Sequence, residues 1–224
     1  MSVSIVIPTL NEARLIPATA NALQRLRGSF EVVIVDGNST DETVTLAEAN
    51  HLRVISAPRG RGSQMNAGAV ATQGETLLFL HADTHLPENA LELIESALRA
   101  PDVCGGNFSL CFAGDTYGAR LLTYLYPHLR WLGLVYGDSA IFVRRRIFES
   151  LGGYREIPLF EDCDLYRRLC RQGRFVRLAD IAVTSGRRFE GRFLRTFSFW
   201  VIMQVLYWVG VAPHRLAQMY RLVR

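Results

Sequence analysis

The residues of this chain best placed to do chemistry are acids that directly follow apolar runs. Glu75 to Pro87 reads ETLLFLHADTHLP, where the apolar stretch Thr76–Leu80 gives way abruptly to His81, Ala82, Asp83, Thr84 and His85. A buried strand whose carboxyl end opens into a site has this form. Strand side chains repeat every two residues, so His81 and Asp83 project to one side with Cα atoms roughly 6.5–7 Å apart. Such a pair suits a hard cation carrying phosphate oxygens. The alternative is that Asp83 merely caps a helix starting near Pro87.

The pattern recurs. The β-branched run Val3–Thr9 opens into Leu10, Asn11 and Glu12, and Glu31–Val35 ends in Asp36-Gly37-Asn38-Ser39. Asp36 is therefore either a site acid or the first residue of a good turn. Further on, Glu161, Asp162 and Asp164 crowd the first turn of a helix marked by Leu165, Leu169 and Cys170 at helical spacing. The helix dipole favours acids there by roughly 0.3–1 kcal/mol each. Three carboxylates within four residues also repel, and a helix start facing a sheet edge is where a general base can stand.

The elements that must position these acids alternate. Strands are expected at Val3–Thr9, Glu31–Val35, Leu52–Ala57 and Glu75–His81. Helices are expected from Pro17 to about Arg27, from an N-cap at Thr40 through Asn50, and from Ser63 to Gln73. This alternation predicts an α/β fold with a mostly parallel sheet covered by helices on both faces, and ligands in such sheets bind outside the carboxyl ends of the strands. Beyond it, Pro87–Arg99 and Thr116–Leu134 read as helices, and Val103–Phe112 and Gly137–Val143 as strands, the latter followed by Arg144. The expected division is one domain over 1–190 and a helical tail over 191–224.

The 224 residues, 49% of them hydrophobic, suffice for a sizeable core. All 25 basic residues are arginine, which excludes Schiff-base chemistry and a P-loop lysine. Charge is uneven: residues 1–112 carry a balance of −5 and residues 113–224 one of +9. Arginine forks suit phosphate, although uniform arginine usage also has a compositional reading. No GxGxxG follows the first strand, and HExxH and GxSxG are missing. Cys104, Cys111, Cys163 and Cys170 lack metal-ligand spacing and read as reduced core thiols. No nucleic-acid motif is present, so phosphate-bearing small molecules are the expected partners. With no leader-like start, a cytoplasmic protein is expected, peripheral to the inner face of a membrane if the tail contacts lipid. The apolar stretch Phe197–Ala212 falls short of the roughly 20 residues that span a bilayer, and reads as a packed helix, a dimer face or an interfacial helix.

SIVIPTLNE (Ser4–Glu12), VVIVDGNSTDET (Val32–Thr43), GRGSQMNAGA (Gly60–Ala69), LLFLHADT (Leu77–Thr84) and FEDCDLYRRL (Phe160–Leu169), in this order, resemble the family 2 glycosyltransferases. HADT, PRGRGSQMNAGA and GDSAIFVRR are closer still to a bacterial subgroup associated with radical-SAM and selenodomain proteins. The resemblance implies a GT-A fold, with a Rossmann-like sheet, and transfer of a sugar from a nucleotide-diphosphate sugar to an acceptor, lipid-linked or a small metabolite. It implies Mg²⁺ or Mn²⁺ on Asp83, the last acid of the DxD motif, with His81 standing where the first Asp usually does. It implies Asp162 as general base, and a donor pocket along Pro8, Glu12, Asp36, Arg59, Met65, Asn66, His81, Ala82, Asp83 and Arg144, with Arg61 a further candidate for the diphosphate. A nucleotidyltransferase and a non-catalytic nucleotide-binding scaffold are the competing readings.

Overall fold

The structure, a computed structural model, describes residues 2–186 and 193–223. Four strands, β1 (Val3–Thr9), β2 (Phe30–Asp36), β3 (Val54–Ser56) and β4 (Thr76–Phe79), run parallel in the order β3-β2-β1-β4. They are continuous apolar runs because both faces are covered. Ile5 and Ile7 of β1 join one core cluster with Ile34 and Leu78, whereas Val6 joins the other with Val33, Val35, Leu77 and Phe79. The connecting helices are α1 (Ile16–Gln24), α2 (Thr43–Ala49) and α3 (Arg61–Val70). The small residues of α3 let it lie tightly on the sheet: a Cβ on Gly68 would come within 2.2 Å of the Val6 side chain.

The second half extends the same sheet. It contributes β5 (Thr84–His85), α4 (Ala90–Leu98), β6 (Val103–Ala113), α5 (Tyr117–Trp131), a 3₁₀ turn at Gly137–Ser139, β7 (Ile141–Arg144), α6 (Arg145–Ser150), α7 (Glu161–Leu169), β8 (Arg174–Ser185), α8 (Phe193–Trp208) and α9 (Pro213–Val223). The strand order is β3-β2-β1-β4-β7-β6-β8-β5, with β7 and β5 antiparallel to their neighbours and the other strands running one way.

Three local expectations change. Gly137–Val143 is not one strand: Gly137–Ser139 turns, Ala140 takes a left-handed φ of 53°, and β7 starts at Ile141. Thr40 does not cap α2. Its N–H donates to the Asn11 side chain at 2.8 Å, while Asp41 accepts from the Thr43 N–H at 3.0 Å and thereby starts the helix. The apolar tail is two helices, parted at Gly210, whose φ of 92° only glycine adopts easily. Of the four thiols, Cys104 and Cys163 are buried, Cys111 is half-buried and Cys170 is exposed.

Candidate active site

Register sets the edge. Thr9, Asp36 and Ser56 lie side by side where β1, β2 and β3 end, and β4 leaves the same edge into His81, Ala82 and Asp83. Because β7 is antiparallel to β4, with Ile141 opposite Phe79, the residues just before β7 arrive at the edge from which β4 departs. That reversal delivers Asp138. Its Oδ1 lies 2.6 Å from His81 Nδ1, and one ligand atom from each of His81, Asp83 and Asp138 falls within 4.8 Å of the others. The His81 ring rests on Gly137, where a Cβ would stand 2.6 Å from Nε2, so any other residue there would displace the imidazole.

Two carboxylates and an imidazole fit a divalent ion. Ligands opposite one another around Mg²⁺ are about 4 Å apart, so this group closes on an ion with small side-chain movements. Carboxylates suit either Mg²⁺ or Mn²⁺, and the imidazole tilts the set towards the transition metal. Asp138, from the turn before β7, thus offers a second carboxylate beside His81 and Asp83.

The same turn reaches the acids of α7. The Gly137 N–H donates to Asp162 Oδ2 at 2.7 Å, and the Cys163 N–H to Oδ1 at 2.7 Å. Consecutive residues 137 and 138 therefore tie Asp162 to the His81–Asp83–Asp138 group. Arginines separate the three acids of the helix start by role. Asp164 is held by Arg155 at 3.0 Å and Arg168 at 2.7 Å, and Glu161 faces Arg61 at 3.5 Å, whereas Asp162 accepts from the backbone N–H groups of Gly137 and Cys163. Burial pushes the Asp162 carboxyl up to about 6, with the Glu161 charge adding to the rise and the Gly137 N–H and Arg61 opposing it. Desolvation works against the charge of Arg61, yet Glu161, Asp138 and Asp162 around it outweigh that and hold its pKa above the ordinary value.

The other expected residues divide. Asp36 is buried and accepts from the Ser39 N–H at 2.9 Å and the Ser39 hydroxyl, so it is both a turn carboxylate and an edge residue. The loops after β1 and β2 are stitched together: the Glu12 N–H donates to Thr43 Oγ1 at 2.8 Å and the Asn11 N–H to Ser39 Oγ at 2.9 Å. Pro8 is half-buried in β1, and Ala82 is buried, its carbonyl accepting from Thr19 Oγ1 at 2.7 Å. Arg61 lies among the acids and Arg59 is exposed beside it. Met65 is a core residue, and Asn66 clamps the backbone of Tyr154 through both ends of its amide at 2.9 and 2.8 Å.

Arg144 is a correction. It pairs with Thr76, the first residue of β4, and so lies at the edge opposite Asp83. Its guanidinium donates to the carbonyls of Leu98, Val103 and Ala100, at 2.7 Å for Val103 and 3.0 Å for Ala100, and so ties the end of α4 to β6. In an antiparallel strand it is the residues before the strand, not after it, that reach the site. Arg144→Met is accordingly expected to leave nucleotide affinity unchanged while lowering unfolding free energy by about 1.5–3 kcal/mol, the range for hydrogen bonds to charged groups. Urea denaturation alongside nucleotide titration checks both halves.

Helix α8 covers the flank of this site. Tyr136, just before Gly137, donates its hydroxyl to Gln204 Oε1 at 2.5 Å and packs on Trp200 at 5.1 Å between ring centroids. Phe160, just before Glu161, stacks on Tyr207 at 4.4 Å, and Arg167 lies over the same Tyr207 ring. Reading the acids by strand ends left out Asp138, Tyr136 and Gln204. Asp138 stood in GDSAIFVRR, but its direction depends on the reversal of β7.

Residues 4–155 match the family described as Glycosyl transferase family 2. The chain belongs to this family. A relative from Mycobacterium bovis (strain BCG / Pasteur 1173P2) named PGL/p-HBAD biosynthesis glycosyltransferase is 44% identical over 169 residues, covering 67% of this chain and 62% of the relative. The probable glycosyltransferase YdaM of Bacillus subtilis (strain 168) is 24% identical over 208 residues, covering 81% of this chain and 50% of that protein. The family 2 chain thus spans about half to three-fifths of the length of these relatives. The fold is that of the mannosyltransferase PcManGT from Pyrobaculum calidifontis, solved with GDP-Man and Mn²⁺, at a TM-score of 0.68 and 20% identity over 94% of this chain and 65% of that one. Glucosyl-3-phosphoglycerate synthase from Mycobacterium tuberculosis, solved with Mn²⁺, UDP and glucosyl-3-phosphoglycerate, aligns at 0.63 and 20% identity over 94% of this chain and 80% of that one. The expected GT-A architecture is therefore the observed one.

Proposed function

We propose that this family 2 chain transfers a sugar from a nucleotide-diphosphate sugar to an acceptor hydroxyl with inversion, Asp162 acting as general base. The observation that carries the reading is the convergence, through residues 137 and 138, of a cation-binding trio with a buried carboxylate whose pKa is raised to about 6. The family membership and the nucleotide and Mn²⁺ named for the solved neighbours support it.

Asp36 and Glu12, at the ends of β2 and β1, hold the nucleoside end of the donor, with Pro8, Met65, Asn66 and Ala82 forming or bracing that pocket and Arg59 and Arg61 beside the diphosphate. β2 and β4 are separated by β1, so Asp36 and the trio stand about 9–10 Å apart across the sheet, a span suited to a nucleoside diphosphate. Asp83, Asp138 and His81 would hold Mg²⁺ or Mn²⁺, which when bound supplies positive charge against the leaving diphosphate. The acceptor oxygen attacks the anomeric carbon from the face opposite the leaving group. As that bond forms, the hydroxyl proton passes to Asp162, and the old C–O electron pair departs on the diphosphate. A carboxylate with a pKa near 6 is largely ionised at neutral pH yet basic enough to take a proton in the transition state. The acceptor enters from the side walled by α8. A lipid-linked acceptor or a small metabolite, and attachment at the inner face of a membrane, belong to the same proposal.

Thermal shift with nucleoside diphosphates, with and without Mn²⁺, tests the donor site. A ligand at 100 times its Kd stabilises by about 2.7 kcal/mol, roughly 5–10 °C for a domain of this size. UDP or GDP is expected to raise the melting temperature more when Mn²⁺ is present. A melting temperature unmoved by every nucleoside diphosphate would end the donor-site reading.

A further inference from the structure

We propose that the outer faces of α5 and α8 form one docking surface for an anionic lipid bilayer. The inference rests on the glycosyl-transfer reading only in naming what the surface serves, presentation of a lipid-linked acceptor to Asp162.

On α5, Tyr117, Tyr124 and Trp131 recur every seven residues, which puts them on one face, and they are 76%, 71% and 74% exposed. Arg120 and His128, also exposed, lie along the same stripe. On α8, Val201, Val205 and Trp208 fall on one face and are 38%, 45% and 47% exposed, with Leu194 continuing the row towards the start of the helix. The two helices meet at their beginnings, where a Cβ on Gly118 would touch the Phe193 ring at 2.3 Å. By contrast, among the described residues before 117 the large apolar side chains exposed reduce to Val70.

Charge selects the occupant. Helices α5 and α8 contain no Asp or Glu, while Arg195 is exposed on α8 and Arg120 on α5, the latter ion-paired at 3.3 Å with Asp115 just before the helix. Two helices that carry arginine and no acid of their own complement anionic headgroups better than they complement a second copy of themselves. Tyrosine and tryptophan are the side chains that settle at the headgroup boundary, and arginine stems bury beside them with the charge towards phosphate. Among the described residues no helix is long and apolar enough to cross a membrane, so contact lies along the surface. The adjoining face of α8, Trp200, Gln204 and Tyr207, turned by about 100°, touches Tyr136 and Phe160, which lead into Gly137-Asp138 and Glu161-Asp162. One helix thus presents adjoining faces to lipid and to the acceptor side of the site.

The test is flotation of the full chain at low salt with vesicles of phosphatidylcholine alone and of two parts phosphatidylcholine to one part phosphatidylglycerol. Wild type should float with the anionic vesicles only. Arg195→Gln should lower the partition coefficient about fivefold, and Arg120→Gln, whose charge is shared with Asp115, by less. The triple variant Tyr124→Ser, Val205→Ser, Trp208→Ser should abolish flotation, with the melting temperature and nucleotide-induced shift intact. Those two controls separate this result from misfolding and from failure of the donor site. Wild type that stays at the bottom with anionic vesicles, or variants that float as well as wild type, would overturn the proposal. So would a concentration-dependent dimer, seen by sedimentation velocity and lost in the triple variant without any lipid binding, since that would assign the face to a second copy.

Discussion

Asp162→Asn lowers kcat by about 10²–10⁴, the usual contribution of a general base, while donor affinity stays within a few-fold. The asparagine is nearly isosteric and keeps one acceptor oxygen for either the Gly137 or the Cys163 N–H, so the fold cost is about 1–3 kcal/mol, that of leaving the other buried N–H without an acceptor. The wild-type rate should rise with pH through about 6 as Asp162 ionises, and that limb should vanish in the variant. Stability responds with the opposite sign. The folded pKa lies above the unfolded value, so burial of the charge weakens the fold once pH exceeds about 6, and the penalty fades as pH falls towards 4. The variant carries no such charge, so the stability difference between the two proteins should shift in favour of wild type over that window. Retention of activity within tenfold would remove Asp162 from the base role and turn attention to Glu161, whose Arg61 partner is half exposed.

Asp83→Asn and Asp138→Asn form the second large test, read by Mn²⁺ titration under electron paramagnetic resonance and by nucleotide calorimetry. Asp83→Asn should abolish the increment that Mn²⁺ adds to nucleotide binding. Asp138→Asn should weaken Mn²⁺ by about 10–100-fold, because Asp138 either ligates the ion or orients His81, its partner at 2.6 Å. The double variant should be scarcely worse than Asp83→Asn alone, since residues serving one ion do not act additively. Mn²⁺ affinity unchanged in Asp138→Asn would reduce the trio to the single carboxylate of the DxD remnant. Nucleotide binding indifferent to Mn²⁺ in wild type would remove the metal altogether.

How far the sequence carried depends on the kind of strand. β1, β2 and β4 are parallel and covered on both faces, so each is an unbroken apolar run, and the acids after them announce an edge without any knowledge of the rest of the fold. The first turn of α7 was equally plain, since a helix start has its own spacing. The second half was harder. β8 was not expected at all, because its half-exposed residues lack a clean alternation, and β5 is too short to leave a pattern. Arg144 followed a recognisable strand and was given to the site on that ground. The strand runs the other way, and the arginine ended 41 residues from its Val103 partner in sequence, at the far edge of the sheet.

Sequence alone determined the sheet-and-helix alternation, the positions of Asp36 and Asp83 at strand ends and of Asp162 in the first turn of a helix, and the family resemblance, because all are written in local spacing. Only the tertiary structure decided that Asp138 completes the trio, that Arg144 does not enter it, and that α8 leans on Tyr136 and Phe160. Each of those depends on the direction of a strand or the docking of a helix. Direction and docking are settled by which surfaces bury one another across the whole chain, and nothing in the neighbouring residues records the outcome.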